Sequence, residues 1–226
     1  MFKSRKDAGR KLVAPLLRYA DEHPVVLALP RGGVPVAYEV AIALDAPLDV
    51  IVVRKLGAPG QPELGIGAVV DGDHPQSVLN EDVMRMLEVS DEYLSREVAL
   101  ELQEIRRRQK RYRSGRPPEP IAGRTAIIVD DGIATGGSVR AAIRGVRQLC
   151  PKRLVLAVPV APPETIDSLR PEVDDLVCLS MPAFFQAVGQ FYEDFRQTSD
   201  EEVVELLDRA RQQMASTLKP GSGQHR

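Results

Sequence analysis

Hydrophobic residues in this chain are grouped in short runs rich in Val, Ile and Leu, separated by longer stretches in which apolar positions return every three or four residues. The runs Val25–Leu29, Leu48–Val53, Thr125–Val129, Arg153–Val158 and Asp175–Leu179 are nearly continuous, as expected of strands buried on both faces. Between them the pattern predicts helices over Pro35–Leu44, Gly137–Leu149 and Pro163–Leu169. Pro35 and Pro163 fall near first-turn positions, where a missing N–H costs little. Strands alternating with helices predict an α/β fold: a doubly wound, mainly parallel five-stranded sheet with helices on both faces.

One interval breaks the alternation. Between the second and third runs, the pieces GAVV and SVL read as strands, and Asn80 to about Arg113 reads as strongly helical. The longer helix there starts near Ser90 and carries Leu94, Val98, Leu102 and Ile105 at helical spacing, and Pro117 and Pro118 are expected to end it. Residues 66–120 are therefore read as an insertion of strand pieces and two helices in a single domain spanning 1–226. Near the C-terminus, Ser199 and Glu202 form a capping-box pattern ahead of the stripe Val203, Leu207, Ala210 and Met214. The final residues, about 218–226, have a composition expected to be disordered.

Composition narrows the chemistry. The 226 residues are 43% hydrophobic and 27% charged, with 30 basic and 32 acidic side chains, an ordinary globular balance that argues against a surface devoted to nucleic acid. No apolar run approaches the roughly 20 residues of a membrane helix, and the beginning MFKSRKDAGRK lacks the apolar stretch of a signal peptide. A cytoplasmic location and no membrane partner are expected. Cys150 and Cys178 lack CxxC spacing, and three histidines, His23, His74 and His225, give little support to a zinc site or a Ser-His-Asp triad. The expected chemistry uses carboxylates, cations and backbone amides.

The stretch Ile127–Val139, IIVDDGIATGGSV, carries the strongest signal. A buried strand ends in two acids, passes through a loop of small and hydroxyl residues, and enters a helix. Ala134, Gly136 and Gly137 leave room for backbone N–H groups to approach a phosphate, Thr135 and Ser138 add hydroxyls, and the helix dipole favours the anion. Asp130 and Asp131 are suited to accept hydrogen bonds from vicinal hydroxyls or to face a hydrated Mg²⁺, so the pattern points to a ribose 5-phosphate unit. The loop lacks a P-loop lysine and the G-x-G-x-x-G of a dinucleotide site.

At these residues the chain resembles the type I phosphoribosyltransferases, whose signature is a hydrophobic strand, two acids and a T-G-G-[ST] phosphate loop. Gly132 stands where the family usually has a hydrophobic residue, and Ser138 where it usually closes with Thr. More narrowly, the chain is similar to a bacterial group of such enzymes whose acceptor is not settled. The likeness runs from Ala28-Leu29-Pro30-Arg31-Gly32-Gly33-Val34 through Arg54-Lys55-Leu56-Gly57 and Val158-Pro159-Val160-Ala161 to Val188-Gly189 and Asp194-Phe195.

The resemblance implies transfer of the phosphoribosyl group from 5-phosphoribosyl 1-pyrophosphate (PRPP) to a nitrogenous base, with Mg²⁺, in nucleotide metabolism. Arg31, Gly32 and Gly33 then correspond to the pyrophosphate loop, Lys55 and Arg54 lie near the pyrophosphate, and the irregular loop after them serves as a lid. Asp130, Asp131, Lys55 and Arg31 take the catalytic roles, with Asp130 and Asp131 holding Mg²⁺ through water. The resemblance also allows a homodimer.

Two features stay open at this level. Phe184, Phe185, Phe191, Tyr192 and Phe195 crowd one segment of a chain only 4% aromatic, which suits either a C-terminal hood stacking on a base or ordinary packing. Phe184 and Phe185 are the nominees for an acceptor pocket, and Tyr192 and Phe195 are read as structural. The run Arg106, Arg107, Arg108, Lys110, Arg111, Arg113 and Arg116 suits either RNA phosphates, as in a PRPP-sensing RNA-binding regulator, or a helix whose acid-then-base order complements its dipole. Glu104 and Arg108 have the spacing of a helical ion pair. A third reading is hydrolysis of PRPP without an acceptor.

Overall fold

The computed structural model describes residues 1–71 and 76–217. His74 and the C-terminal residues expected to be disordered lie outside the described residues. Eight strands and seven α-helices are described: α1 Arg5–Leu16, β1 Val25–Ala28, α2 Gly33–Ala43, β2 Leu48–Val50, β3 Val53–Ala58, β4 Gln61–Val70, β5 Gln76–Leu79, α3 Glu81–Met86, α4 Asp91–Arg113, β6 Thr125–Val129, α5 Gly137–Gln148, β7 Arg153–Val160, α6 Pro163–Leu169, β8 Asp175–Ser180 and α7 Asp200–Thr217.

Five strands form a parallel sheet in the order β2-β1-β6-β7-β8, the architecture the alternation predicts. Alternate residues feed opposite faces. Val26, Ala28, Ile127 and Val129 pack under α1, α2 and α7 with Leu12, Leu16, Val40 and Leu207. Val25, Leu27, Ala126 and Ile128 pack under α5 and α6 with Ile143, Val146, Ile166 and Leu169. From β1 the chain winds one way to β2, and from β6 it winds the other way to β7 and β8, so the direction of winding reverses between β1 and β6. The crevice beyond the carboxyl ends of such a pair is where open α/β sheets bind ligands.

The structure corrects several expectations. The run Leu48–Val53 is not one strand: the parallel pairing stops at Val50, and Val53 begins a separate antiparallel sheet, β3-β4-β5. Between the two, the Ile51 N–H donates to the Ala28 carbonyl, while Val52 and Asp71 exchange hydrogen bonds. The segment from Arg54 to Glu63, read as a strand end followed by an irregular lid, is largely a hairpin that turns at Gly60, φ +70°. α4 ends at Arg113 with Ser114 in the left-handed region, before Pro117 and Pro118 are reached. GAVV and SVL fall in β4 and β5.

α1 lies outside the elements that the pattern predicts. Ser4 caps it by accepting from the Asp7 N–H, and Ala8, Leu12 and Leu16 are buried. Among the described residues, no helix is long and apolar enough to cross a membrane.

Candidate active site

β6 delivers the two acids. Its last residue, Val129, accepts the Leu29 N–H and so ties the end of β6 to the end of β1. Asp130 Oδ1 accepts the Asp131 N–H at 2.9 Å, turning the two carboxylates together at the sheet edge. Burial, reinforced for Asp130 by Asp131 beside it, holds the Asp130 carboxyl well above the ordinary carboxylate range. Burial also raises Asp131, and Arg5 opposes that rise. Arg5 Nε donates to Asp131 Oδ2 at 2.7 Å across 126 residues of sequence.

The Arg31-Gly32-Gly33 turn packs directly against these acids. The Gly33 N–H donates to the Leu29 carbonyl at the start of α2, and the Pro30–Arg31 peptide is cis. A Cβ on Gly32 would stand 2.1 Å from Asp131 Oδ2, and one on Gly33 would stand 2.8 Å from the Val129 carbonyl. Only glycine lets the α2 N-terminus approach the carboxylates this closely. Arg31 itself leans toward α7, with Nη1 3.9 Å from Asp200 Oδ1.

The Ala134–Ser138 loop follows the acids. The Ile133 N–H donates to the Val160 carbonyl, and the Thr165 hydroxyl donates to the Ala134 carbonyl at 2.8 Å. Gly136 caps α5 at φ +79°, leaving the first N–H groups of the helix without intrahelical partners. Ala134, Thr135, Gly137 and Ser138 are exposed. Gly132, where the family usually has a side chain, has no room for one: a Cβ would lie 2.6 Å from Val188 Cγ1.

The remaining expected residues divide. Lys55, on β3, reaches the Ala134–Ser138 loop, with Cε 3.9 Å from a Cβ placed on Gly137, and both line a cleft of about 290 Å³ between the antiparallel sheet and α5. Arg54 turns the other way and bonds Glu101 of α4 at 2.6 Å. Phe185 stacks on Phe191, whereas Phe184 is 91% exposed. The aromatic segment meets the acids elsewhere: the Tyr192 hydroxyl donates to the Asp131 carbonyl, and burial pushes that phenol far up.

Most of the basic run is engaged in ion pairs. Arg107 and Arg108 bond Glu104, whose carboxyl they lower to about 2. Arg111 pairs with Asp200 and Glu201, and Arg116 with Asp208, so the end of α4 is clasped to α7. Arg113 is buried between Asp49 and Asp71 at 2.9 and 3.1 Å. Arg106 and Lys110 have no ion pair among the described residues.

Sequence reasoning missed Arg5, Thr165 and the hydroxyl of Tyr192. Nothing local marks them, since each reaches the site from a distant part of the chain.

A parallel sheet in this order, with paired acids ending a central strand and a glycine and hydroxyl loop opening the next helix, is the arrangement of the type I phosphoribosyltransferase fold. The chain belongs to that family: the model of the phosphoribosyl transferase domain matches residues 3–196. Two Mycobacterium tuberculosis proteins, "Putative phosphoribosyl transferase MT0597" and "Putative phosphoribosyl transferase Rv0571c", are each 48% identical over 215 residues, covering 95% of this chain and 48% of their own length. The chain thus spans about half the length of the curated relatives it matches. The crystal structure of TT1426 from Thermus thermophilus superposes with a TM-score of 0.81 at 46% identity, over 92% of this chain and 97% of that one.

Proposed function

We propose that the protein transfers the 5-phosphoribosyl group from PRPP to a nitrogenous acceptor and releases pyrophosphate. The observation that carries this reading is the convergence of the Gly32-Gly33 turn, the Asp130–Asp131 pair and the largely exposed 134–138 loop at the β1/β6 crevice. Amides and hydroxyls at the α5 start suit a 5-phosphate, and the two carboxylates suit ribose hydroxyls.

In the reaction the bond from C1 to the pyrophosphate oxygen breaks, its electron pair leaving with pyrophosphate. The acceptor nitrogen then bonds C1 and loses its proton to water. The 134–138 loop orients the sugar, while Arg31 and the amide of Gly32 oppose the charge growing on the leaving group. Asp130 and Asp131 hold the hydroxyls and tolerate a positive ring. Lys55, positioned at Gly137, is placed for the 5-phosphate side of the substrate.

Mg²⁺ fits this donor set in its usual manner. Two carboxylates stand beside a phosphate-binding turn, no cluster of three or more metal-binding side chains exists among the described residues, and Mg²⁺ characteristically combines one or two carboxylates with substrate oxygens and water. Asp130 and Asp131 would hold it, and it would neutralise charge on the pyrophosphate.

The test is mass spectrometry of products after incubation with Mg²⁺, PRPP and a panel of purine, pyrimidine and pyridine bases. A new nucleotide is the expected product, falling by about a hundredfold or more in Asp131→Asn because a group preorganised for transition-state charge is lost. Pyrophosphate release without any nucleotide would assign hydrolysis instead. Undiminished turnover in Asp131→Asn would remove the role given to that acid.

A further inference from the structure

We propose that Arg5, in the first turn of α1, is a pyrophosphate-binding cation of this site. The inference rests on the phosphoribosyl-transfer reading above and adds a residue that the motifs of the chain do not contain. Three contacts hold the plane of its guanidinium. Nε bonds Asp131 Oδ2 at 2.7 Å, Nη1 bonds the Arg196 carbonyl at 2.6 Å, and the group lies 3.9 Å from the centroid of the Phe195 ring. Only 12% of the side chain is exposed, yet Nη2 has no hydrogen-bond partner among the described residues.

The guanidinium borders the loop assigned to pyrophosphate. Arg5 Nε lies 3.2 Å from the place a Cβ on Gly32 would take, so the guanidinium stands directly beside the turn at the start of α2. Arg5 also forms a wall of a polar cavity of about 470 Å³ bounded by the start of α1, Pro35 in the first turn of α2, Asp194 and residues 196–198. Thr198 lines the same cavity at 4% exposure. Lys6 and Arg196 add cations there, Lys6 3.9 Å from Glu39. Of the two acids in the lining, Asp194 is tied to Arg196 and Glu202 stands in the first turn of α7.

The other expected pyrophosphate cations face elsewhere: Arg54 is bonded to Glu101 and Lys55 reaches Gly137. Arg31 and Arg5 are left as the arginines flanking the turn. A planar guanidinium whose orientation is fixed before the reaction presents its remaining N–H groups to phosphate oxygens without reorganising as charge builds.

The experiment is calorimetric titration of the full chain, with Mg²⁺ present, by pyrophosphate and separately by ribose 5-phosphate. Wild type is compared with Arg5→Gln, whose amide can still reach Asp131, and with Arg5→Lys. Loss of a charge-assisted hydrogen bond should weaken pyrophosphate binding in Arg5→Gln by about ten- to a hundredfold, leave ribose 5-phosphate binding within about threefold, and be partly reversed in Arg5→Lys. Equal weakening for both ligands would make Arg5 a support for Asp131 and overturn the proposal, as would unchanged pyrophosphate affinity. If Arg5→Gln fails to fold, Arg5→Lys carries the same comparison, selective loss of pyrophosphate affinity supporting the role and equal or no loss overturning it. Wild type binding neither ligand would instead defeat the phosphoribosyl reading, and this assignment with it.

Discussion

Gly136 stands at φ +79° at the entrance to α5, with Thr165 Cγ2 3.1 Å from the place its Cβ would occupy. An alanine there meets both a left-handed backbone and a neighbour with little room. Gly136→Ala should destabilise the fold by about 1–2 kcal/mol, read as a lowered urea midpoint, and should weaken ribose 5-phosphate binding more than pyrophosphate binding. This glycine and its neighbours were legible in the sequence because the Ala134–Ser138 loop and the acids before it are contiguous: strand, acids, hydroxyls and helix start follow one another along the chain. Arg5 was not legible. Its partner lies 126 positions away, and an arginine near the start of a chain is by default solvated surface. Gly132 shows the same limit from the other side, since its substitution for a hydrophobic residue is explained by Val188 and Val160 pressing on it.

At the scale of elements, the apolar run Leu48–Val53 reads as one strand because burial in either sheet asks for the same residue types. What divides it is Asp71 at the end of β4, which accepts the Val52 N–H at 3.0 Å and pairs with Arg113 from the end of α4. Burial, with Asp49 adding to it, pushes the Asp71 carboxyl up to about 6 from an ordinary value of 3.8, while Arg113 and two hydrogen bonds hold it down. A carboxyl raised in the folded state binds more protons than in the unfolded chain between about pH 4 and 6, so its contribution to stability falls as pH rises through that window. Relative to Asp71→Asn, wild type should therefore gain stability as pH is lowered from about 6 to 4, by at most about 3 kcal/mol, measured by urea unfolding across that range. A difference that does not vary with pH would show that the buried Asp49–Arg113–Asp71 group does not take up this proton. The basic run of α4 was half legible: the Glu104–Arg108 pair follows from helical spacing, whereas the clasp of Arg111 and Tyr112 on Asp200 of α7 required the two helices to meet.

For the molecule as a whole, the reversal of winding between β1 and β6 creates the crevice, and three separated parts of the chain fill it: the start of α1, the turn before α2, and the end of β6 with its loop. With Asp130 and Asp131 proposed to hold the ion, removing Mg²⁺ with a chelator should abolish nucleotide formation while leaving the circular dichroism spectrum and thermal midpoint unchanged, and added Mg²⁺ should restore activity. Turnover that survives chelation would take the metal out of the proposed reaction. The sequence by itself determined the parallel α/β sheet, the order of its main elements, and the acids with the glycine and hydroxyl loop that follows them. These are encoded in periodicity and in neighbouring residues, and local sterics and hydrogen bonding act over a few positions at a time. Only the tertiary structure decided that Val53 leaves the first sheet for a second, that Arg54 and Lys55 part company, and that Arg5 and Tyr192 close on Asp131. Those outcomes depend on which surfaces meet once the core is buried, a competition among distant partners that no short stretch of chain contains.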